Sequence, residues 1–297
     1  MILREYAEAP SILPLYLRAA LPAVPVVGGL PGVRHASGAV PDLTLERPRV
    51  TTDLDHLASY ADVCGFALRE TLPVTYPHMA AFGLQMALMV DTAFPFAPMG
   101  LVHLRNTITQ HRPIAVTETY DVSVRAADLR PHPKGTLVDV LSTVWVDDEV
   151  VWEETMTLLR RGGGGAEAEA ARAPLDGVEP PAGSATWRLD AGLGRRYGAV
   201  SGDRNPIHLS KLSAKAFGFP RQIAHGMWSK ARALAAVENR LADAYTVVAE
   251  FRRPILLPAT VTFGSSTEGE ELLFGITGRP RGDKPAPTHL VARVTPA

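Results

Sequence analysis

Apolar and polar positions along the chain fall into one arrangement used twice. Residues 79–90, MAAFGLQMALMV, are apolar on nearly every side, which predicts a helix that other structure must wrap. A second long helix is predicted to begin near Gly226 and to run through MWSKARALAAVENRL. Each is followed by segments that alternate or are rich in β-branched residues: ETYDVSVRA, TLVDVLSTVWV and VVWEETMTLL in the first half, YTVVAEF, TVTFGS, ELLFGIT and HLVARVT in the second. Connections such as HPKG and DDE are short and turn-like, which favours antiparallel pairing. A short helix precedes each long one, with Asp53 and Asp190 as the expected N-caps. The class expected is α+β: one buried helix wrapped by an antiparallel sheet, made twice.

The repeat is visible in the residues themselves. DLDHLASYADVCG (residues 53–65) and DAGLGRRYGAVSG (residues 190–202) share Asp, Tyr and Gly in one register, and Arg112-Pro113-Ile114 answers Arg253-Pro254-Ile255. Between the halves, RGGGGAEAEAARAPLDGVEPPAGS (residues 161–184) is poor in large apolar groups and reads as a flexible linker. Its four glycines are followed by no Lys-Ser or Lys-Thr, so a phosphate-cradling loop is not indicated. The expected organisation is an N-terminal domain over 1–165, a linker over 166–183 and a C-terminal domain over 184–297.

Composition narrows the function classes. Thirty basic against 31 acidic residues leave a net charge of -1, which offers nothing to a nucleic acid. The one cysteine, Cys64, excludes an intramolecular disulfide and cysteine-rich metal sites, and a reducing compartment follows as the default. The N-terminus carries Glu5, Glu8 and four prolines in its first 29 residues, unlike a signal peptide, and no run approaches the roughly 20 apolar residues of a membrane span. A cytoplasmic protein is expected.

The candidate chemistry lies in YGAVSGDRNPIH, residues 197–208. Gly202 and Pro206 break a helix there, and the resulting turn can bring Asp203 and His208 to one point, where a carboxylate and an imidazole can hold a water and move a proton. A second reading stays open: an Asx-turn in which Asp203 and Asn205 bond the backbone and His208 lies on the surface. Ser210 is expected to cap a short helix, KLSAKAF, ending at Gly218. Downstream, Gly226 opens the second long helix, where its N–H can face a developing oxyanion; His225 beside it reads as a packed or capping residue.

The stretch YGAVSGDRNPIHLSKLSAKAFGFPRQIAHGM, with its D-x-N-x-x-H core, resembles the hydratase motif of the MaoC-like, (R)-specific enoyl-CoA hydratase family. The length and the tandem halves are similar to the family's double-hot-dog members. The resemblance implies a tandem hot-dog fold with chemistry in the C-terminal half, interconverting (3R)-3-hydroxyacyl and trans-2-enoyl thioesters. It further implies Asp203 and His208 as the catalytic pair, Asn205 and Ser201 as supporting residues, Gly226 as oxyanion donor, and a substrate carried on coenzyme A or acyl carrier protein. No cofactor and no metal is implied. Arg252 and Arg253, or Lys211, Lys215 and Arg221, are the candidate phosphate contacts. The oligomeric state expected is a monomeric pseudo-dimer or a homodimer.

The first half lacks the motif: after Tyr60 and Gly65 it reads FALRETLPVTYPHM. Asp53 and His56 offer a superficial substitute pair but read as a cap and an exposed helix residue. Cys64, at the place of Ser201, reads as a buried small apolar residue. Phe82, Leu84, Met86 and Met89 either pack as core or line a tunnel for an acyl chain. Two competing functions are a hot-dog thioesterase, disfavoured because GMWSKARALAA carries no carboxylate, and a non-catalytic thioester-binding subunit.

Overall fold

The computed structural model describes residues 2–20, 38–162, 173–280 and 282–297. In chain order the elements are β1 (Ile2–Glu5), α1 (Ile12–Ala20), β2 (Leu43–Val50), α2 (Leu54–Cys64), α3 (Pro77–Met89), β3 (Leu101–Gln110), β4 (Tyr120–His132), β5 (Gly135–Val146), β6 (Glu149–Arg161), β7 (Ala185–Leu189), α4 (Leu193–Ser201), α5 (Pro206–Leu209), α6 (Lys211–Ala216), α7 (Gly226–Ala235), β8 (Tyr245–Phe251), β9 (Ala259–Glu268), β10 (Glu271–Thr277) and β11 (Thr288–Pro296). Both long helices are present, the second ending at Ala235 instead of running on to Leu241, as are all seven anticipated strands, and the class is α+β. β1, α1, β2, β3, α5 and β7 go beyond the sequence expectations. β1 and β7 are short and each pairs with a single neighbour, so partner strands rather than an internal pattern specify them.

The described residues gather into two compact units, each assembled from separate stretches of chain. The first takes Met1–Thr52, Pro77–Leu104 and Thr117–Arg172; the second takes Asp53–Tyr76, Arg105–Val116 and Ala173–Ala297. This division is not the one expected at 165 and 184, because α2 and the 105–116 segment of the first half are gathered with the second.

In the first unit the strands run β1-β2-β4-β5-β6, with β1 parallel to β2 and the other pairs antiparallel. α3 packs on β2, β4 and β5, and eleven of its residues are buried, which explains a helix with no polar face. Phe82, Leu84, Met86 and Met89 are core side chains. The helix keeps one polar point: the Gln85 amide donates to Glu154 Oε2 (2.9 Å) and Ser142 Oγ (3.0 Å), and His78 Nδ1 lies 2.9 Å from the same carboxylate.

In the second unit β3, through Arg105–Gln110, is followed by β8-β11-β10-β9-β7, all antiparallel. α7 packs on β10 and β11. Its Lys230 is fully buried, and Nζ donates to Asn106 Oδ1 (2.5 Å), Asn106 O (3.2 Å) and Val247 O (3.4 Å), so a buried polar group is satisfied by hydrogen bonds. The sequence repeat has a structural counterpart here: Thr71 bridges Ala115 just as Ile223 bridges Leu256, each beside its Arg-Pro-Ile. α2 and α4 end alike, on Gly65 at φ 78° and Gly202 at φ 75°, a left-handed cap that favours glycine. They begin differently. Asp53 caps α2 through the N–H groups of Asp55 and His56, whereas α4 starts at Leu193 and Asp190 stands outside it, accepting from the Gly192 N–H and pairing with Arg196. Asp190 is therefore not the N-cap expected.

The linker also needs correction. Residues 163–172, three of the four glycines among them, lie outside the described residues. Residues 173–183, however, are docked rather than flexible. Leu175 is 1% exposed, its N–H donates to Glu250 Oε1 (3.0 Å) and its carbonyl accepts from Arg252 (2.7 Å). Further along, Pro180, Pro181 and Ala182 lie so close to Gly264 and Gly275 that no side chain fits at either glycine.

Candidate active site

The turn after α4 is built from short-range hydrogen bonds that its residue types dictate. Gly202 ends the helix in the left-handed region, and the Asp203 N–H donates to Ser201 Oγ (3.1 Å). Asp203 Oδ1 accepts from the Asn205 N–H (3.1 Å), and Asn205 Oδ1 accepts from the Ile207 N–H (3.3 Å), capping α5 at its Pro206 start. Both Asx bonds of the second sequence reading are thus present, yet His208 is 7% exposed and not on the surface. The two readings coexist because the Asx bond to Asn205 uses one carboxylate oxygen and leaves Oδ2 for the interior. Ser210 caps α6 through the Ser213 N–H, and Gly218 follows at φ 83°.

A feature that sequence inspection missed sets the position of this turn. Gly194 and Gly198 lie four residues apart on one face of α4. A Cβ on Gly194 would stand 2.1 Å from the His208 carbonyl oxygen, and one on Gly198 would stand 2.8 Å from the Asp203 carbonyl oxygen. Asp203 and His208 are laid by their backbones into a glycine groove, and the spacing in GRRYG was the available signal.

Asp203 Oδ2 lies 3.9 Å from His208 Nε2 and 3.7 Å from His225 Nε2. The two imidazoles stack with ring centres 3.7 Å apart, and Tyr197 packs on His225 at 4.9 Å. Carbonyls only accept, so they assign the tautomers. His208 Nδ1–H donates to Ile223 O (2.8 Å), which leaves Nε2 bare towards Asp203. His225 Nε2–H donates to Asp203 O (2.9 Å), and its buried Nδ1 has no hydrogen-bond partner among the described residues. Burial lowers the pKa of His208, the neighbouring carboxylate opposing it. Burial, reinforced by His208, pulls His225 down to about 3. Both rings are neutral near neutral pH.

Asp203, His208 and His225 each offer a ligand atom within 4.8 Å of one another, close enough to surround a metal ion. The fit is poor, because the His225 nitrogen that faces the carboxylate carries the proton donated to Asp203 O and has no lone pair to offer.

Gly226 opens α7, so its N–H has no intrahelical acceptor. A Cβ there would meet three Phe251 ring atoms at 3.2–3.3 Å, which explains the small residue. His225 is the N-cap by position but makes no side-chain capping bond; its role is packing. Arg252 is committed to Leu175 O and lies near Glu250 and Glu179, so it is occupied rather than free for a phosphate; Arg253, like Lys211 and Lys215, is exposed. Cys64 is fully buried and its thiol is pushed up to about 12 by burial, leaving it unreactive. His56 is not the exposed residue expected: its ring bridges Tyr76 and the carbonyl of Val200.

The turn thus sets one carboxylate oxygen within 4 Å of two buried imidazoles, just ahead in sequence of the helix that Gly226 opens, and comparison with known proteins gives the class. The MaoC like domain matches residues 184–278. The chain is 40% identical over 251 residues to 3-hydroxyacyl-thioester dehydratase X of Mycobacterium tuberculosis, covering 84% of this chain and 87% of that protein. The crystal structure of HtdX from the same organism superposes with a TM-score of 0.73 at 37% identity, over 86% of this chain and all (100%) of that one. Another Mycobacterium tuberculosis protein, described as a double hot-dog fold, matches at a TM-score of 0.54 and 17% identity over 87% of this chain and 95% of that one, which speaks to fold alone. The fold is a double hot dog, and the chain belongs to the MaoC-like dehydratase family.

Proposed function

We propose that this protein interconverts (3R)-3-hydroxyacyl thioesters and trans-2-enoyl thioesters by reversible loss and addition of water. One observation carries the reading. Asp203 Oδ2 and Nε2 of His208 face each other 3.9 Å apart, too far to bond directly. A single water about 2.8 Å from each satisfies both with its two O–H groups. The pair is shaped for the molecule that the reaction adds.

In hydration, neutral His208 Nε2 takes one proton from the water as its oxygen bonds to the β-carbon. The imidazolium formed is stabilised by the Asp203 carboxylate, and the same proton is returned to the α-carbon. Dehydration reverses the order: the α-proton moves to His208 and then to the departing hydroxyl, and water leaves. Charge that collects on the thioester oxygen between these steps faces the Gly226 N–H at the positive end of α7. Asn205 and Ser201 hold the turn, and His225 packs behind His208. α7 carries no carboxylate from Gly226 to Ala235, so it offers no general base of the kind a thioesterase would place there.

The test follows crotonyl-CoA and longer enoyl-CoA substrates by loss of the conjugated thioester absorbance, with free thiol monitored in parallel. Absorbance loss without thiol release is expected. Asp203→Asn and His208→Ala each lower turnover by about 10²–10⁴ with unchanged circular dichroism. Thiol release in step with absorbance loss, or wild-type rates in both variants, overturns the assignment.

A further inference from the structure

We propose that His56, from the half that lacks the D-x-N-x-x-H turn, is a positioning residue for Asp203. The inference rests on the hydratase reading and adds a residue to it. α4 ends at Ser201, so the carbonyl of Val200 is one of the last four in the helix and has no intrahelical donor. His56 Nε2–H supplies that donor at 2.7 Å. The carbonyl can only accept, so Nδ1 is bare and accepts the Tyr76 hydroxyl proton at 2.9 Å. Tyr76 is 4% exposed and is held edge-on by Tyr60 at 5.4 Å, while the Tyr60 hydroxyl is anchored to Thr75 Oγ1 at 2.7 Å. Tyr60 also packs on Tyr197 of α4 at 6.4 Å. The imidazole is therefore clamped on one side and grips the end of α4 on the other.

The leverage is short. Val200 is bonded directly to Ser201, whose hydroxyl holds the Asp203 N–H, and Asp203 presents Oδ2 to His208. Without the His56 bond the last turn of α4 is free to fray, and the carboxylate loses its fixed distance from His208. Asp53 and His56 are thus not a second acid–base pair: Asp53 caps α2, and α2 delivers His56 to the catalytic turn.

The experiment uses the full-length protein with His56→Ala, His56→Gln and Tyr76→Phe. Gln keeps an N–H donor close to the position of Nε2; Ala does not. His56→Ala is expected to lower kcat for crotonyl-CoA hydration at least tenfold with KM changed less than twofold. Backbone hydrogen exchange across residues 198–208 should quicken in step. Gln should restore most of both, and Tyr76→Phe should give a smaller loss in the same direction. Equal losses in the Ala and Gln variants that track a lowered Tm would reduce His56 to packing and overturn the proposal. So would wild-type kcat and exchange in His56→Ala. An inactive wild type refutes the hydratase reading instead; exchange, which needs no turnover, still decides whether His56 holds the turn.

Discussion

At the scale of single residues, the site stands on two histidines kept neutral by burial. His225, 2% exposed and stacked on His208, has its pKa lowered from the usual 6.5 to about 3, and His208 is lowered by the same cause. The consequence for stability has a definite sign. Above pH 6.5 neither the folded nor the unfolded chain protonates these rings and nothing is lost. As the pH falls from 6.5 towards 3, the unfolded chain takes up a proton at His225 that the folded one refuses, so unfolding gains about 1.4 kcal/mol per pH unit from that ring, and His208 adds in the same direction. Urea midpoints should therefore fall between pH 7.5 and pH 5, with His225 alone contributing about 2 kcal/mol at pH 5. Replacing His225 with Phe should flatten that slope. A midpoint independent of pH across this range would mean that the rings are solvated or charged in the folded protein.

At the scale of elements, α4 acts as the bed on which the turn carrying Asp203 and His208 lies. The groove along Gly194 and Gly198 admits the backbone of Asp203 and His208 only because both positions lack a Cβ. Gly194→Ala would drive a methyl group into the His208 carbonyl at 2.1 Å, so α5 must shift on the order of 1 Å. Displacements of that size cost about 10² in rate when they separate reacting groups. We expect Gly194→Ala to lose about that factor in kcat while circular dichroism keeps the native helix and sheet signal; undiminished turnover would show that the groove does not position His208. Gly198→Ala should act in the same direction through Asp203, more mildly, since its contact is 2.8 Å. The same helix is held at its far end by His56, so bed and clamp converge on one turn.

At the scale of the whole chain, the residues from Ala173 onward form part of the second unit. The strap over 173–183 buries Leu175 and engages Glu250 and Arg252, and Arg252 thereby has a structural duty where a phosphate contact was expected. Leu175→Ala should lower the unfolding free energy by about 2–5 kcal/mol, as other buried leucine truncations do, while the folded protein keeps its turnover at 25 °C. A loss under 0.5 kcal/mol would mean that the strap is only loosely applied. Among the described residues no helix is long and apolar enough to cross a membrane.

Much of this was legible from residue order. The long helices, the antiparallel strands that follow them and the caps at Asp53 and Ser210 obey local rules of period, capping and glycine conformation. The D-x-N-x-x-H turn was legible for the same reason: Gly202, Asp203, Asn205 and Pro206 bond almost entirely to their own neighbours. What residue order left open depends on partners distant in the chain. Asp190 has the chemistry of a cap but bonds Arg196 instead; residues 173–183 have a linker's composition but lie on β9 and β10; His56 reads as solvent-facing yet reaches a carbonyl 144 residues away. The depressed histidines, the occupied Arg252 and the glycine groove belong to this second group. Burial and close approach are properties of the packed chain, and no local pattern encodes which surface arrives.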